Sequence, residues 1–325
     1  MWEWLCTVVL GIVEGFTEFL PVSSTGHLIL TDELMGFREA LTLSGVTDAK
    51  TFASNFEVII QLGAILAVVA AYPGRFVGLA DLRRHRGFAG IRGVSLLLVT
   101  SIPAAILGLL FDDLIEEKLF APLPVTIALA VGAFWILFVE AKVDRQKATE
   151  VAETTEGTEE KAMEESSPQT RIASRSESSV ESHAEIQTSA KSGDGLDQLT
   201  WRQALGIGMF QCLALWPGMS RSGSTILGAM MIGVDRKTAT EYSFFAAVPV
   251  MFGATLLKVY KNYDVIVEGG NFALLAVGFV VSFFSAWIAV KWFIRILGRH
   301  TLRPFGWYRL GLATFCFTIW LPRIL

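Results

Sequence analysis

The stretch EGFTEFLPVSSTGHLIL, residues 14–30, decides the fold. The apolar run that opens at Trp2 carries two acids, Glu14 and Glu18, and stops at Pro21. A Ser/Thr/Gly turn follows. The next apolar piece, Thr25–Met35, covers only about 16 Å as a helix. Crossing the ~30 Å hydrocarbon core takes about 20 residues. Proline ends a helix, and Ser or Thr after it caps the next. The unit therefore reads as a helix–turn–helix hairpin that enters a membrane and returns. Non-helical backbone at that depth persists only where protein buries it or water lines it.

The same unit recurs. Trp201–Trp216 stops at Pro217, the turn PGMSRSGSTI (217–226) follows, and the short piece Ser224–Gly233 comes next. Pro21 and Ser24 match Pro217 and Ser220 at a spacing of 196, and QLGAILAVV (61–69) resembles MFGATLLKV (251–259) at a spacing of 190. Four other runs read as spanning helices: Phe56–Tyr72, Gly93–Phe111, Val125–Ala141 and Phe272–Trp292. Two more, Ala239–Tyr260 and Pro304–Leu321, are long enough once their few polar residues are allowed. The expected fold is an all-α polytopic membrane protein. Each half, 1–141 and 201–325, is one re-entrant hairpin plus three transmembrane helices. An odd number of crossings per half turns the second repeat upside down relative to the first, an inverted repeat.

Composition agrees. Of 325 residues 52% are apolar and 18% charged, with mean hydropathy +0.50, against about 25% charged in a soluble protein. Residues 142–200 concentrate the charge, with 7 Lys and Arg against 13 Asp and Glu and no Phe, Trp or Tyr. Such a segment does not bury enough surface to offset its ordering entropy and is expected to be a disordered acidic linker. A pI near 5.7 and the lack of a basic arm argue against nucleic acid as a partner. Cys6, Cys212 and Cys316 lie far apart in apolar runs without CxxC spacing and read as small packed residues.

Basic residues orient the chain. Arg75, Arg83, Arg84, Arg86 and Arg92 follow the first span, and Lys291, Arg295, Arg299 and Arg303 precede the last. Both clusters are expected inside, with the linker, in the cytoplasm of a cell bounded by this plasma membrane. The acidic loop Asp112–Lys118 then falls outside. The first hairpin opens from the outer face and the second from the inner face.

Ionisable groups within apolar helices are costly and usually functional. Glu14 and Glu18 stand four apart on one helix face. Two like charges in a dry site need help to stay ionised, and a divalent cation supplies it. Mg²⁺ commonly takes one or two carboxylates plus substrate phosphate oxygens. Ser24 and His27 place a hydroxyl near an imidazole, the minimal pair for nucleophilic or general-base chemistry, with Ser23 and Thr25 beside them. In the second turn Arg221 must pair with an acid or bind an anion. Ser220, Ser222 and Thr225 surround it at a helix N-terminus, whose N–H groups suit a phosphate. Glu57 and Gln61, again four apart, either line the same cavity or sit at the outer membrane surface. Two carboxylates, a Ser/His turn and a cradled Arg suit metal-assisted phosphoryl chemistry on a lipid head group.

EGFTEFLPVSSTGHLIL (14–30) and PGMSRSGSTI (217–226) resemble the two signature segments of the bacitracin-resistance family of undecaprenyl-diphosphate phosphatases, and FEVIIQLGAILAVV (56–69) is similar to a third. The resemblance covers roughly 1–141 and 201–325. It implies a membrane diphosphatase that removes the terminal phosphate of a polyprenyl diphosphate and so recycles the lipid carrier for cell-surface glycans. It implies metal (Mg²⁺ or Ca²⁺) and catalysis at Glu14 and Glu18, a nucleophile at Ser24, the motif histidine at His27 and a phosphate-gripping Arg221. Implied partners are the polyprenyl diphosphate and membrane lipids, with a homo-oligomer compatible. The 142–200 insert is longer than the connection typical of the family, which points to an archaeal relative with a dolichol-like carrier. The competing reading is an anion or lipid transporter, or flippase, on the same inverted-repeat layout.

Overall fold

Pro21 and Pro217 each lie within the turn that follows a helix, beyond helix ends at Thr17 and Leu215. In the computed structural model, which describes residues 1–46, 48–83, 87–165, 195–263, 271–297 and 300–324, helix α1 (Trp2–Thr17) leads through the first turn into α2 (Ser24–Met35). Helix α3 (Phe37–Leu43), α4 (Ala49–Ala71), α5 (Pro73–Ala80), α6 (Gly90–Leu119) and α7 (Pro122–Glu165) complete the first half. The second half begins with α8 (Trp201–Gln211), tightened into a 3₁₀ turn at Cys212–Leu215, and continues through α9 (Arg221–Met231). Helices α10 (Arg236–Lys261), α11 (Phe272–Leu297) and α12 (Arg303–Ile324) end the chain. Every regular element among the described residues is helical.

Five helices are long and apolar enough to cross a membrane: α4, α6, α10, the Pro122–Gln146 part of α7 and the Phe272–Ile296 part of α11. The sixth expected crossing lies in α12, which has the length, at 22 residues, but not the hydropathy. Arg309 and the polar ends of its aromatic residues hold it down. One further expectation is corrected. Asp112–Lys118 is not a loop, because α6 continues to Leu119 across a kink at Phe111 (φ −120°, ψ 16°). The 142–200 segment is structured at both ends. Helix α7 continues to Glu165 through a sequence rich in Glu, Ala and Lys, which are strong helix formers. Asp144 in this extension pairs with Arg303 at 2.7 Å. At the far end, Gly195–Gln198 forms a 3₁₀ turn with Leu196 buried, and Asp197 accepts from the Phe88 amide at 2.6 Å. Residues 166–194 lie outside the described residues.

The two halves interleave. Helix α11 packs on α1 and α4, α6 packs on α8 and α10, and α7 packs on α12. Each half thus presents its middle span to the entry helix of the other. Glycine makes both approaches close: a Cβ on Gly11 would stand 2.9 Å from the Gly278 carbonyl oxygen, and one on Gly208 2.6 Å from that of Thr100. A buried carboxylate, Glu140, fixes the far end of the bundle. It accepts from Arg236 Nε (3.1 Å), Arg236 Nη2 (2.6 Å) and the Leu302 amide (2.9 Å), joining α7, α10 and the start of α12.

Candidate active site between two turns

Ser23 and Ser220 are the only non-glycine residues with positive φ among the described residues, at 72° and 74°. That backbone region costs an L-residue on the order of 1–3 kcal/mol. Each serine offsets part of the cost as an N-cap. Ser23 Oγ accepts from the Gly26 amide (3.3 Å) and Ser220 Oγ from the Gly223 amide (3.1 Å). The two turns therefore match at a spacing of 197, not 196, because the second turn carries one extra residue after its proline. Ser23 corresponds to Ser220 and Ser24 to Arg221, while the residues ahead of the prolines keep the spacing of 196.

The turns meet. Arg221 Nη2 donates to Glu18 Oε1 at 3.0 Å, and Ser24 Oγ donates to Glu18 Oε2 at 2.5 Å. Arg221 Nη1 donates to both the carbonyl (3.0 Å) and the hydroxyl (3.2 Å) of Ser243, and the Arg221 side chain lies over the Phe19 ring at 5.4 Å. Its Nε is buried and has no hydrogen-bond partner among the described residues. Ser222 Oγ reaches across to the Leu20 carbonyl at 2.7 Å. Between the turns lies a cavity of about 140 Å³ lined by Glu18, Ser23, Ser24, Thr25, Gln61, Ala214, Pro217, Gly218, Ser220, Arg221 and Met251. The N-termini of α2 and α9 both open onto it, an arrangement that favours an anion.

Seven of the expected site residues line this cavity: Glu18, Ser23, Ser24, Thr25, Gln61, Ser220 and Arg221. Five do not. Ser222 bonds Leu20, and Thr225 shares a 2.6 Å hydrogen bond with Ser243, so both hold the wall in place. Glu57 is on α4 one turn before Gln61 and is absent from the lining. His27 is not bonded to Ser24. Its Nδ1 meets the Ser23 carbonyl at 2.7 Å and its Nε2 the Tyr308 hydroxyl at 2.7 Å, with the two rings stacked. The hydroxyl of Ser24 faces a carboxylate instead.

Glu14 is buried, and neither of its carboxylate oxygens has a hydrogen-bond partner among the described residues. The described residues contain no group of three or more His, Cys, Asp or Glu that could hold a metal. Two carboxylates suffice for Mg²⁺ when phosphate oxygens and water complete the shell. The orphaned oxygens of Glu14, one helical turn from Glu18, fit that donor set.

Three residues at the site escaped sequence reasoning. Ser243 carries no signal in the chain. Tyr308 carries none either. Arg309 did carry one, a charge inside an apolar run, and the structure buries it completely.

This is a polytopic helical membrane protein with an anion-suited cavity between two proline-broken turns. The chain belongs to the family described as bacitracin resistance protein BacA, whose model matches residues 7–315. It is 48% identical to the undecaprenyl-diphosphatase of Maridesulfovibrio salexigens, covering 96% of this chain and 97% of that one. The undecaprenyl-diphosphatase of Solidesulfovibrio magneticus is 45% identical (98% of this chain, 99% of that one), and undecaprenyl-diphosphatase 1 of Stutzerimonas stutzeri 37% (98% and 95%). These relatives are bacterial and nearly coextensive with this chain, so the length of the insert is no pointer to an archaeal origin.

Proposed function

We propose that the protein hydrolyses a polyprenyl diphosphate of the undecaprenyl type to the monophosphate and inorganic phosphate, recycling the lipid carrier for cell-surface glycan assembly. One observation carries this reading. Ser24, Glu18 and Arg221 form one hydrogen-bonded chain on the wall of one cavity, with Glu18 and Arg221 203 residues apart in sequence. The curated names of the relatives supply the substrate class.

The geometry supports the following roles. The terminal phosphate enters between the N-termini of α2 and α9, where Arg221 still has its Nε free to donate. Ser24 Oγ attacks phosphorus as its proton passes to Glu18 Oε2. The bond to the bridging oxygen breaks and the lipid monophosphate leaves. Water then attacks the phosphorus of the phosphoserine, the Oγ–P bond breaks, the Ser24 oxygen recovers its proton from Glu18, and both water protons leave on the inorganic phosphate. Arg221 stabilises charge on the phosphoryl oxygens in both steps. His27 holds the first turn through the Ser23 carbonyl. Glu14 and Glu18 would hold a divalent cation, Mg²⁺ or Ca²⁺, which when bound neutralises charge on the diphosphate.

The finer architecture belongs to the same proposal: an inverted repeat with two re-entrant hairpins in the plasma membrane, its site open to the outer face and the acidic linker inside. Paired serine caps, paired glycine approaches and the reciprocal packing of each middle span support it. Phosphate release by the purified protein from a polyprenyl diphosphate, with chelator and then with Mg²⁺ or Ca²⁺ restored, is the test. Chelator-sensitive release is expected. Anion transport by reconstituted protein with no phosphate release would replace this reading with the transporter one.

A further inference from the structure

Arg309 lies seven residues into α12 and is fully buried. A guanidinium has five N–H donors, and here each meets a backbone carbonyl. Nη1 donates to Pro21 (3.3 Å) and Met219 (2.9 Å), Nη2 to Gly218 (2.7 Å) and Ala128 (3.2 Å), and Nε to Leu129 (3.3 Å). No acid pairs with it among the described residues. Three of the five carbonyls belong to the two turns, just ahead of the Ser23 and Ser220 caps. The other two belong to α7. Gly132 makes the seat possible, because a Cβ there would overlap the guanidinium.

We infer that Arg309 is a positioning residue for the reaction: it clamps the two turns to each other and to α7, and so sets the spacing of Ser24 from Arg221. It does not grip the substrate. All its donors are used, in contrast to Arg221, which keeps Nε in reserve. Its guanidinium sits behind both turns, on the carbonyls that precede the Ser23 and Ser220 caps. A lysine at this position keeps the charge but has three donors on one atom and does not bridge carbonyls on three segments.

This inference rests on the diphosphatase reading for its kinetic readout but not for its structural one. The experiment compares the purified full-length chain with Arg309→Lys, Arg309→Met and Gly132→Ala. Gly132→Ala displaces the guanidinium without removing it and serves if Arg309→Met fails to fold. Hydrogen exchange in detergent should rise in peptides covering 20–26 and 217–223, which contain the capped Gly26 and Gly223 amides, in all three variants and more than in α4 or α10. With farnesyl or undecaprenyl diphosphate, kcat should fall about 100-fold in Arg309→Met, the loss expected from a misplacement of about 1 Å. KM should change far less, and Arg309→Lys and Gly132→Ala should fall in between. Unchanged exchange at both turns in the folded variants overturns the inference whatever the activity. Faster exchange with wild-type kcat overturns its catalytic part. Absence of hydrolysis by the wild-type chain counts against the diphosphatase reading and leaves the exchange result to decide the clamp.

Discussion

Glu18 and Arg221 form an ion pair at 3.0 Å across two turns, with side-chain exposures of only 5% and 12%. The same carboxylate receives the Ser24 hydroxyl, so one acid links the expected nucleophile to the expected anion grip. The Ser24 proton therefore has an acceptor already in place, and it is not the nearby imidazole.

Glu18→Gln should remove that acceptor and leave Arg221 without its counter-charge. Breaking one side of a buried pair costs about 3–5 kcal/mol, so the variant should melt earlier as well as lose turnover. Arg221→Lys keeps a charge but loses the fork that spans Glu18 and Ser243. Its kcat should fall by roughly 10²–10³, as for loss of one preorganised donor to a transition state. Steady-state kinetics alongside a thermal melt separates the two effects.

Ser24→Ala deletes the hydroxyl with little change in packing, and kcat should drop by at least about 10² while KM stays within a few-fold. Radiolabelled substrate quenched during turnover should leave phosphate on the wild-type protein and none on Ser24→Ala. A turnover number near wild type would exclude Ser24 from the chemistry.

Tyr308→Phe removes the partner of His27 Nε2 but leaves the stacked ring. A positional role for His27 predicts a loss of a few-fold only, about the worth of one hydrogen bond of ~1 kcal/mol. His27→Ala opens the first turn as well and should cost more. Equal, severe losses in both would instead place the His27–Tyr308 pair in proton transfer.

Glu140→Ala should leave a half-buried Arg236 against no acid and the Leu302 amide unpaired. The expected outcome is a loss of about 3–5 kcal/mol in stability. Because Glu140 ties the bundle end and lines no part of the cavity, KM in protein that remains folded should match wild type. A thermal melt with kinetics below the melting range checks both.

Metal dependence has a residue-level signature. Neither carboxylate oxygen of Glu14 has a hydrogen-bond partner among the described residues, so Glu14→Gln preserves the fold and should raise the Mg²⁺ concentration needed for half-maximal turnover. The same metal requirement in Glu14→Gln and wild type would remove Glu14 from the metal site.

What the chain announces locally, it announces well. Pro21 and Pro217 break helices, serines cap the pieces that follow, and apolar runs of spanning length mark the crossings, because each of these effects acts within one or two helical turns. The class of chemistry was equally readable, since acids and a guanidinium are too costly in apolar helices to be incidental. Three matters were decided only by packing. Ser24 met Glu18 and not His27, although His27 is closer in number to Ser24, because the side chains diverge once α2 is capped at Ser23. Glu57 missed the cavity while Gln61 entered it, because the two share a face of α4 but lie one turn apart along its axis. Arg309 became the bond between both turns only when α12 was laid against α7. Helix signals reach a few residues, whereas these pairings span up to 288, and only the interleaving of the two halves brings them within hydrogen-bond distance.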